Sequence, residues 1–158
     1  MKKKLLSIIL ALVIVASLVP VTASASRETF VRVDGAWVWF QGQDPSVIVD
    51  GRTLTPARVV FEAAGFEVTW DGPTQTAVMA NEDYEIRITI GSATFTTNGV
   101  AHTLDVPAQI INGRTMIPIR LPLESAGFGV IWDARNRIIH VSSPHEGKRF
   151  FLGYFDKP

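Results

Sequence analysis

Imidazoles are the first side chains to test for chemistry, because they ligate transition metals and titrate near neutrality. The chain has three, His102, His140 and His145; no His-x-His pair occurs and no third ligand stands at a diagnostic interval. Carboxylates fare no better. Glu82, Asp83 and Glu85 crowd one acidic turn rather than facing each other as an acid and a base, and none of the serines has a Ser-His-Asp setting. There is no cysteine, which removes disulfides, iron-sulfur clusters, thiolate nucleophiles and an acylated cysteine. No residue is assigned a catalytic, cofactor-binding or metal-binding role, and no cofactor is implied. A small secreted enzyme is the weakest of the functional classes.

Aromatic side chains remain as binding candidates. Trp37 and Trp39 share one face of an alternating stretch with Phe40 following, so Trp37, Trp39 and Phe40 form the possible ligand surface, with a hydrophobic cover over the sheet as the plainer explanation. Trp70 and Trp132 stand in register with Phe66 and Val68, and with Phe128 and Val130. Period two puts each set on one sheet face, so both tryptophans are expected to anchor the core before they stack on any sugar. The tail from 144 to 158 is aromatic, with Phe150, Phe151, Tyr154 and Phe155; it could pair as an edge strand, cover the core or contact a partner.

The elements that position these residues begin after a leader. Lys2, Lys3 and Lys4 precede an apolar run from Leu5 to Val19, closed by Pro20 and the small-x-small triplet Ala23-Ser24-Ala25. This is the layout of a signal peptide cleaved after Ala25; a retained anchor is disfavoured because the run is shorter than the roughly 20 residues that cross a bilayer. Removing the three leader lysines from 15 basic residues leaves 12 against 15 acidic, a mature charge of −3. With no Lys/Arg cluster after Lys4, a nucleic-acid partner is not expected, nor a membrane association once the leader is gone. The roughly 130 mature residues can build a single core without cross-links.

That core is written twice. A shift of 62 positions lays Asp50-Gly51-Arg52-Thr53-Leu54-Thr55-Pro56-Ala57-Arg58 on Asn112-Gly113-Arg114-Thr115-Met116-Ile117-Pro118-Ile119-Arg120, and the match continues without a gap. Glu62 falls on Glu124, Ala64-Gly65-Phe66 on Ala126-Gly127-Phe128, Trp70-Asp71 on Trp132-Asp133, and 76–79 on 138–141. Upstream, Asp34-Gly35 answers to Asn98-Gly99 and Pro45 to Pro107. A period near 60 with two copies suits a pair sharing one core rather than a solenoid. The repeats run from about 30 to 79 and from about 94 to 141, within a domain of 26–143.

Asp34-Gly35 and Asn98-Gly99 predict tight hairpin turns, followed by a short strand, a Gly51 or Gly113 turn and a helix. The first helix is expected to take Thr55 as N-cap and Pro56 as its first residue, and to end at Gly65. Pro122 makes the second helix start late or kink. Tyr84–Ile90 alternates as a further strand and is expected to bridge the halves. The fold class is α+β: two pseudo-symmetric hairpin/strand-helix-hairpin repeats, with an antiparallel sheet packed on two short helices.

Arg58 and Arg120 hold the same place in the first helical turn, where the helix dipole disfavours a cation. Each guanidinium is therefore expected to fork onto loop carbonyls or onto Asp71 or Asp133, locking helix to sheet. An i,i+4 pair with Glu62 or Glu124 would add little. An anion site is the functional rival.

The doubled string Gly-Arg-Thr-x-x-Pro-x-Arg, then Glu-x-Ala-Gly-Phe and Val-x-Trp-Asp, resembles the copper amine oxidase N-terminal domain family over roughly Phe30 to Val141. The resemblance implies a small α+β stalk domain of secreted bacterial proteins, with no activity of its own, since copper and the tyrosine-derived quinone belong to a larger separate domain. The quinone motif of those oxidases has Asn before the modified Tyr; here Asp83 precedes Tyr84 and Gly153 precedes Tyr154. The repeated Gly51, Arg52, Pro56, Arg58, Trp70 and Asp71, with Gly113, Arg114, Pro118, Arg120, Trp132 and Asp133, then read as structural motif residues. The functional expectation is a non-catalytic, secreted or extracytoplasmic module of the cell surface. Its partner would be an envelope protein, or alternatively a cell-wall or polysaccharide glycan.

Overall fold

The computed structural model describes residues 28–40 and 46–144. The leader, and all of the aromatic tail but Pro144, lie outside the described residues. The architecture is three mostly antiparallel sheets with two short helices, an α+β fold.

The first sheet joins both ends of the domain. Strands β1 (Phe30–Val33) and β2 (Ala36–Trp37) form a hairpin, and β12 (Gly129–Asp133) and β13 (Ile138–Ser142) form another, in the order β12-β13-β1-β2. The second sheet is central: β3 (Val47–Val49), β4 (Arg52–Pro56), β10 (Gln109–Ile111) and β11 (Arg114–Ile117), ordered β10-β11-β4-β3. The third runs β5-β6-β7-β8-β9, from β5 (Glu67–Asp71), β6 (Thr76–Ala80), β7 (Glu85–Thr89), β8 (Thr94–Thr97) and β9 (Val100–Thr103).

Four turns follow from four dipeptides. Asp34-Gly35, Asp50-Gly51, Asn98-Gly99 and Asn112-Gly113 all have positive φ at both residues, the mirror-image turn whose twist suits a two-residue hairpin. The side chain of Asn98 also ties its turn to the neighbouring loop, accepting from Glu85 N at 2.7 Å and donating to Asp83 O at 2.9 Å.

The expectation of one antiparallel sheet is corrected. Strand β7 does bridge the halves, pairing antiparallel with β6 on one side and β8 on the other. No such strand lies between β13 and β1, so these pair directly and parallel, Phe30 opposite Ile138 and Val33 opposite Val141. An intervening antiparallel strand lets its two neighbours run the same way; without it, the same neighbours must bond to each other in parallel.

Helix α1 spans Ala57–Ala63 and α2 spans Arg120–Ser125. The N-cap expected at Thr55 is displaced. Thr55 lies in β4 opposite Ile117 of β11, Pro56 takes the N-cap position, and the buried Thr55 hydroxyl has no hydrogen-bond partner among the described residues. Strand pairing outcompeted a local cap because it satisfies backbone groups that no side chain could reach. Helix α2 begins one position later than the shift from α1 would place it, and Pro122 becomes its third residue, where the missing N–H had no intrahelical acceptor anyway.

Both helices end in the same way. Gly65 N donates to Glu62 O at 3.1 Å and Phe66 N to Phe61 O at 2.9 Å; Gly127 N donates to Glu124 O at 3.0 Å and Phe128 N to Leu123 O at 3.1 Å. Gly65 and Gly127 have φ of 85° and 80°, the left-handed geometry that this paired closure requires. The closure throws Phe66 and Phe128 into the core, their ring centroids 5.6 Å apart, with Phe61 edge-on to Phe66 at 5.4 Å. Around them pack Val31, Val60, Met79, Ile86, Ile88, Phe95, Ile117 and Leu123, all almost fully buried. Leu54, Val106 and Met116 make a smaller cluster on the central sheet.

Candidate functional site

Two clefts flank the central sheet, each at the start of one helix. The larger, about 840 Å³, has Arg58, Trp70, Trp39, Phe40 and, from the other half of the chain, Arg114 along its walls. The smaller, about 430 Å³, has Arg120, Trp132, Leu104 and, again from the other half, Arg52. Pro56, Arg58, Val68 and Trp70 in one cleft and Pro118, Arg120, Val130 and Trp132 in the other stand 62 positions apart, as do Arg52 and Arg114.

Their chemistry differs. In the smaller cleft Arg52 Nε donates to Asp105 Oδ2 at 2.8 Å, an exposed pair, while Leu104 beside it is buried. In the larger cleft the counterpart arginine, Arg114, has no hydrogen bond or ion pair among the described residues, and Trp39 is 77% exposed. Pairing at Asp105 was missed in the sequence because it lies in the stretch whose length differs between the copies, where the shift places Gln43.

Arg58 does fasten helix to sheet, by a different route from the one to Asp71. Its Nη1 donates to Val68 O at 3.0 Å and approaches Glu62 Oε1 at 3.4 Å. The Trp-Asp carboxylates serve their own turns instead. Asp71 Oδ2 accepts from Thr74 Oγ1 at 2.7 Å. Asp133 accepts from Asn136 Nδ2 at 2.7 Å and from the Asn136 and Arg135 amides at 3.1 and 2.9 Å, and these bonds, the Asn136 side chain first, hold its pKa below the ordinary value. Arg120 is exposed and makes neither bond among the described residues.

The expected core role of Trp70 is corrected: it is 44% exposed. Its face is the right one, since Val68 and Ala77 beside it are buried. Among the described residues the indole forms a wall of the larger cleft. Trp132 is half-buried and packs on the core, with the Arg137 guanidinium 6.0 Å from its ring centroid. The proposed trio of aromatics is also divided. Strand β2 stops at Trp37, which is packed edge-on to Phe30 at 6.2 Å and under Arg32 at 4.9 Å, while Trp39 and Phe40 lie beyond it in the larger cleft. His140 sits in β13 opposite Arg32 and Ile131, and His102 stacks on Phe95 at 5.0 Å. Among the described residues no group of three His, Asp or Glu is placed to hold a metal ion, and no helix is long and apolar enough to cross a membrane.

A glycine-arginine turn feeding a short helix, a Schellman closure and a Trp-Asp hairpin, each present at two places 62 positions apart, define a small α+β domain. The chain belongs to the copper amine oxidase N-terminal domain family, which it matches over residues 32–141. That domain is non-catalytic in the oxidases. No curated protein matches the chain.

Proposed function

We propose that this chain is an exported, non-catalytic structural or protein-interaction module of the bacterial cell envelope. Membership of a non-catalytic N-terminal domain family carries this reading, and the side chains that looked reactive support it. Arg58 is engaged with a strand carbonyl, and Asp71 and Asp133 with their own turns. The leader pattern of 1–25 supplies the route out of the cytoplasm.

The two halves are read as copies about an approximate two-fold. Thr55 is opposite Ile117, its own counterpart under the 62-position shift, and Pro56 is opposite Met116, a register that supports this reading. An envelope protein is favoured over a glycan as partner, because Trp37 is already stacked by Arg32 and Phe30.

The test is fractionation of the native host with N-terminal sequencing, followed by chemical cross-linking on intact cells. The expected result is a chain starting at Ser26, cross-linked to a defined envelope protein and not sedimenting with purified peptidoglycan. Recovery from the cytosol with Met1 or Lys2 at its start would overturn export, and saturable retention on peptidoglycan would replace the protein partner with a glycan.

A further inference from the structure

The four two-residue turns share a backbone shape but not a chemistry. Asp34-Gly35 corresponds to Asn98-Gly99 and Asp50-Gly51 to Asn112-Gly113, and φ is positive at all eight residues. In the first pair the side chain is tied down. Asp34 Oδ1 accepts from Ser143 N at 2.7 Å, and Asn98 accepts from Glu85 N at 2.7 Å while donating to Asp83 O at 2.9 Å. In the second pair Asp50 and Asn112 are exposed, and neither side chain has a hydrogen bond among the described residues. Asparagine is a thermolabile residue, and glycine after it leaves the attacking amide nitrogen without a Cβ to shield it.

We infer that Asn112 is a site of spontaneous deamidation and isoaspartate formation, and that Asn98, in the same dipeptide, is protected by its two side-chain hydrogen bonds. The reaction consumes only water. Gly113 N, its proton taken by hydroxide, attacks Asn112 Cγ; the Cγ–Nδ2 bond breaks, ammonia leaves and a succinimide ring closes. Water then opens the ring. Cleavage of the new Cγ–N bond gives aspartate on the original backbone, whereas cleavage of the bond from the Asn112 carbonyl carbon to Gly113 N gives isoaspartate, with the main chain running through Cβ and Cγ. At Asn98 the same attack requires Cγ to swing onto Gly99 N, which breaks both bonds that hold the amide. Space does not distinguish the sites, since a Cβ built on Gly99 or on Gly113 would meet nothing within 4 Å and both dipeptides are exposed.

The two products differ in what they do to the fold. Aspartate fits, because Asp50 holds the corresponding position with φ of 47° against 50° at Asn112. Isoaspartate adds a backbone carbon to the turn that sets β10 against β11, Ile111 opposite Arg114 and Gln109 opposite Met116. Strand β10 is at the edge of the central sheet with β11 as its neighbour, so a turn that no longer fixes the register loosens the whole strand. Ile110 of that strand lines the larger cleft, which makes the modification a change in a cleft wall. This inference is independent of export and of the envelope partner, so it can fail while that reading stands.

The test keeps the full mature chain folded at mildly alkaline pH beside a second sample in urea, with peptide mapping over time and isoaspartate located by electron-transfer fragmentation. In the folded chain, product at position 112 is expected to accumulate at least about fivefold faster than at position 98, the factor that breaking two modest hydrogen bonds supplies. In urea the fold and those bonds are lost, and the two rates should converge. A folded-state ratio below about fivefold overturns the protection of Asn98, and the same ratio in urea would assign the difference to local sequence and overturn its structural cause. Absence of product at 112 while the urea sample converts overturns the site. The isoaspartyl fraction, separated by ion exchange, should exchange the amides of 109–111 faster than an Asn112→Asp chain; equal protection overturns the loosening of β10.

Discussion

The clefts at the starts of α1 and α2 are built from matching residues, yet one measures about 430 Å³ and the other about 840 Å³. Three substitutions account for much of the difference: Ile119 for Ala57, Leu121 for Val59 and Ile139 for Ala77. The fourth change is electrostatic, since Asp105 holds Arg52 while Arg114 has no such partner among the described residues. The backbone scaffold of each half is alike down to the helix closure, with 6→1 bonds of 2.9 and 3.1 Å. The matching positions thus lie where the chain's path is fixed, and the differing ones where side chains line the clefts.

Truncating a wall of the smaller cleft should have the largest effect. Ile139 is 6% exposed and belongs to the main core; Ile139→Ala, which restores the alanine of the other half, is expected to cost about 2–4 kcal/mol, read as a lower denaturant midpoint with an unchanged m-value. A cost below about 1 kcal/mol would mean that the smaller cleft is not packed as described. The next effect has the opposite sign. Thr55 carries a buried hydroxyl with no partner among the described residues, at the pairing where the other half has Ile117. Thr55→Val keeps the shape and removes an unsatisfied group, so a gain of about 1 kcal/mol is expected; a loss would require a hydrogen bond to that hydroxyl in solution.

Much of this was legible in the sequence because it depends on local rules. The Asp-Gly and Asn-Gly turns, the glycine helix stops and the bridging strand at Tyr84–Ile90 follow from positive φ or from periodicity, and each is present. The failures are tertiary. Thr55 has an N-cap's chemistry, but a strand 62 residues away claimed its backbone. Trp70 lies on the same face as the buried Val68, yet it is 44% exposed and lines the larger cleft, because alternation fixes a face and not what covers it. Parallel pairing of β1 with β13 depends on a strand that one side of the molecule has and the other lacks. The larger cleft was half visible: Trp39, Phe40, Arg58, Trp70 and Arg114 were all singled out, but nothing in their spacing put them on one wall set.

Smaller effects should separate the two helix starts. Arg58 donates to Val68 O and lies beside Glu62, whereas Arg120 has neither bond among the described residues. Arg58→Ala is therefore expected to lower stability by about 0.5–1 kcal/mol, the value of a part-exposed hydrogen bond, and Arg120→Ala to change it by less than about 0.5 kcal/mol. Equal losses, measured by paired chemical denaturation, would show that the lock seen at Arg58 has an unseen equivalent at Arg120.

The weakest effect concerns the two Trp-Asp turns and appears only on acidification. Asp133 accepts three hydrogen bonds from Asn136 and Arg135, where Asp71 accepts one from Thr74. These bonds favour the ionised form of Asp133 and depress its folded pKa below the ordinary 3.8. A depressed acid contributes stability that is fully present above its unfolded pKa and disappears as pH falls through the lower folded value. The stability difference between wild type and Asp133→Asn should thus hold steady from neutrality down to the ordinary carboxyl range, then narrow below it. Side-chain carboxyl shifts followed by NMR give the direction directly: a midpoint for Asp133 at or above 3.8 would mean that the turn bonds do not persist in solution, and that this hairpin is held by β12 and β13 pairing alone.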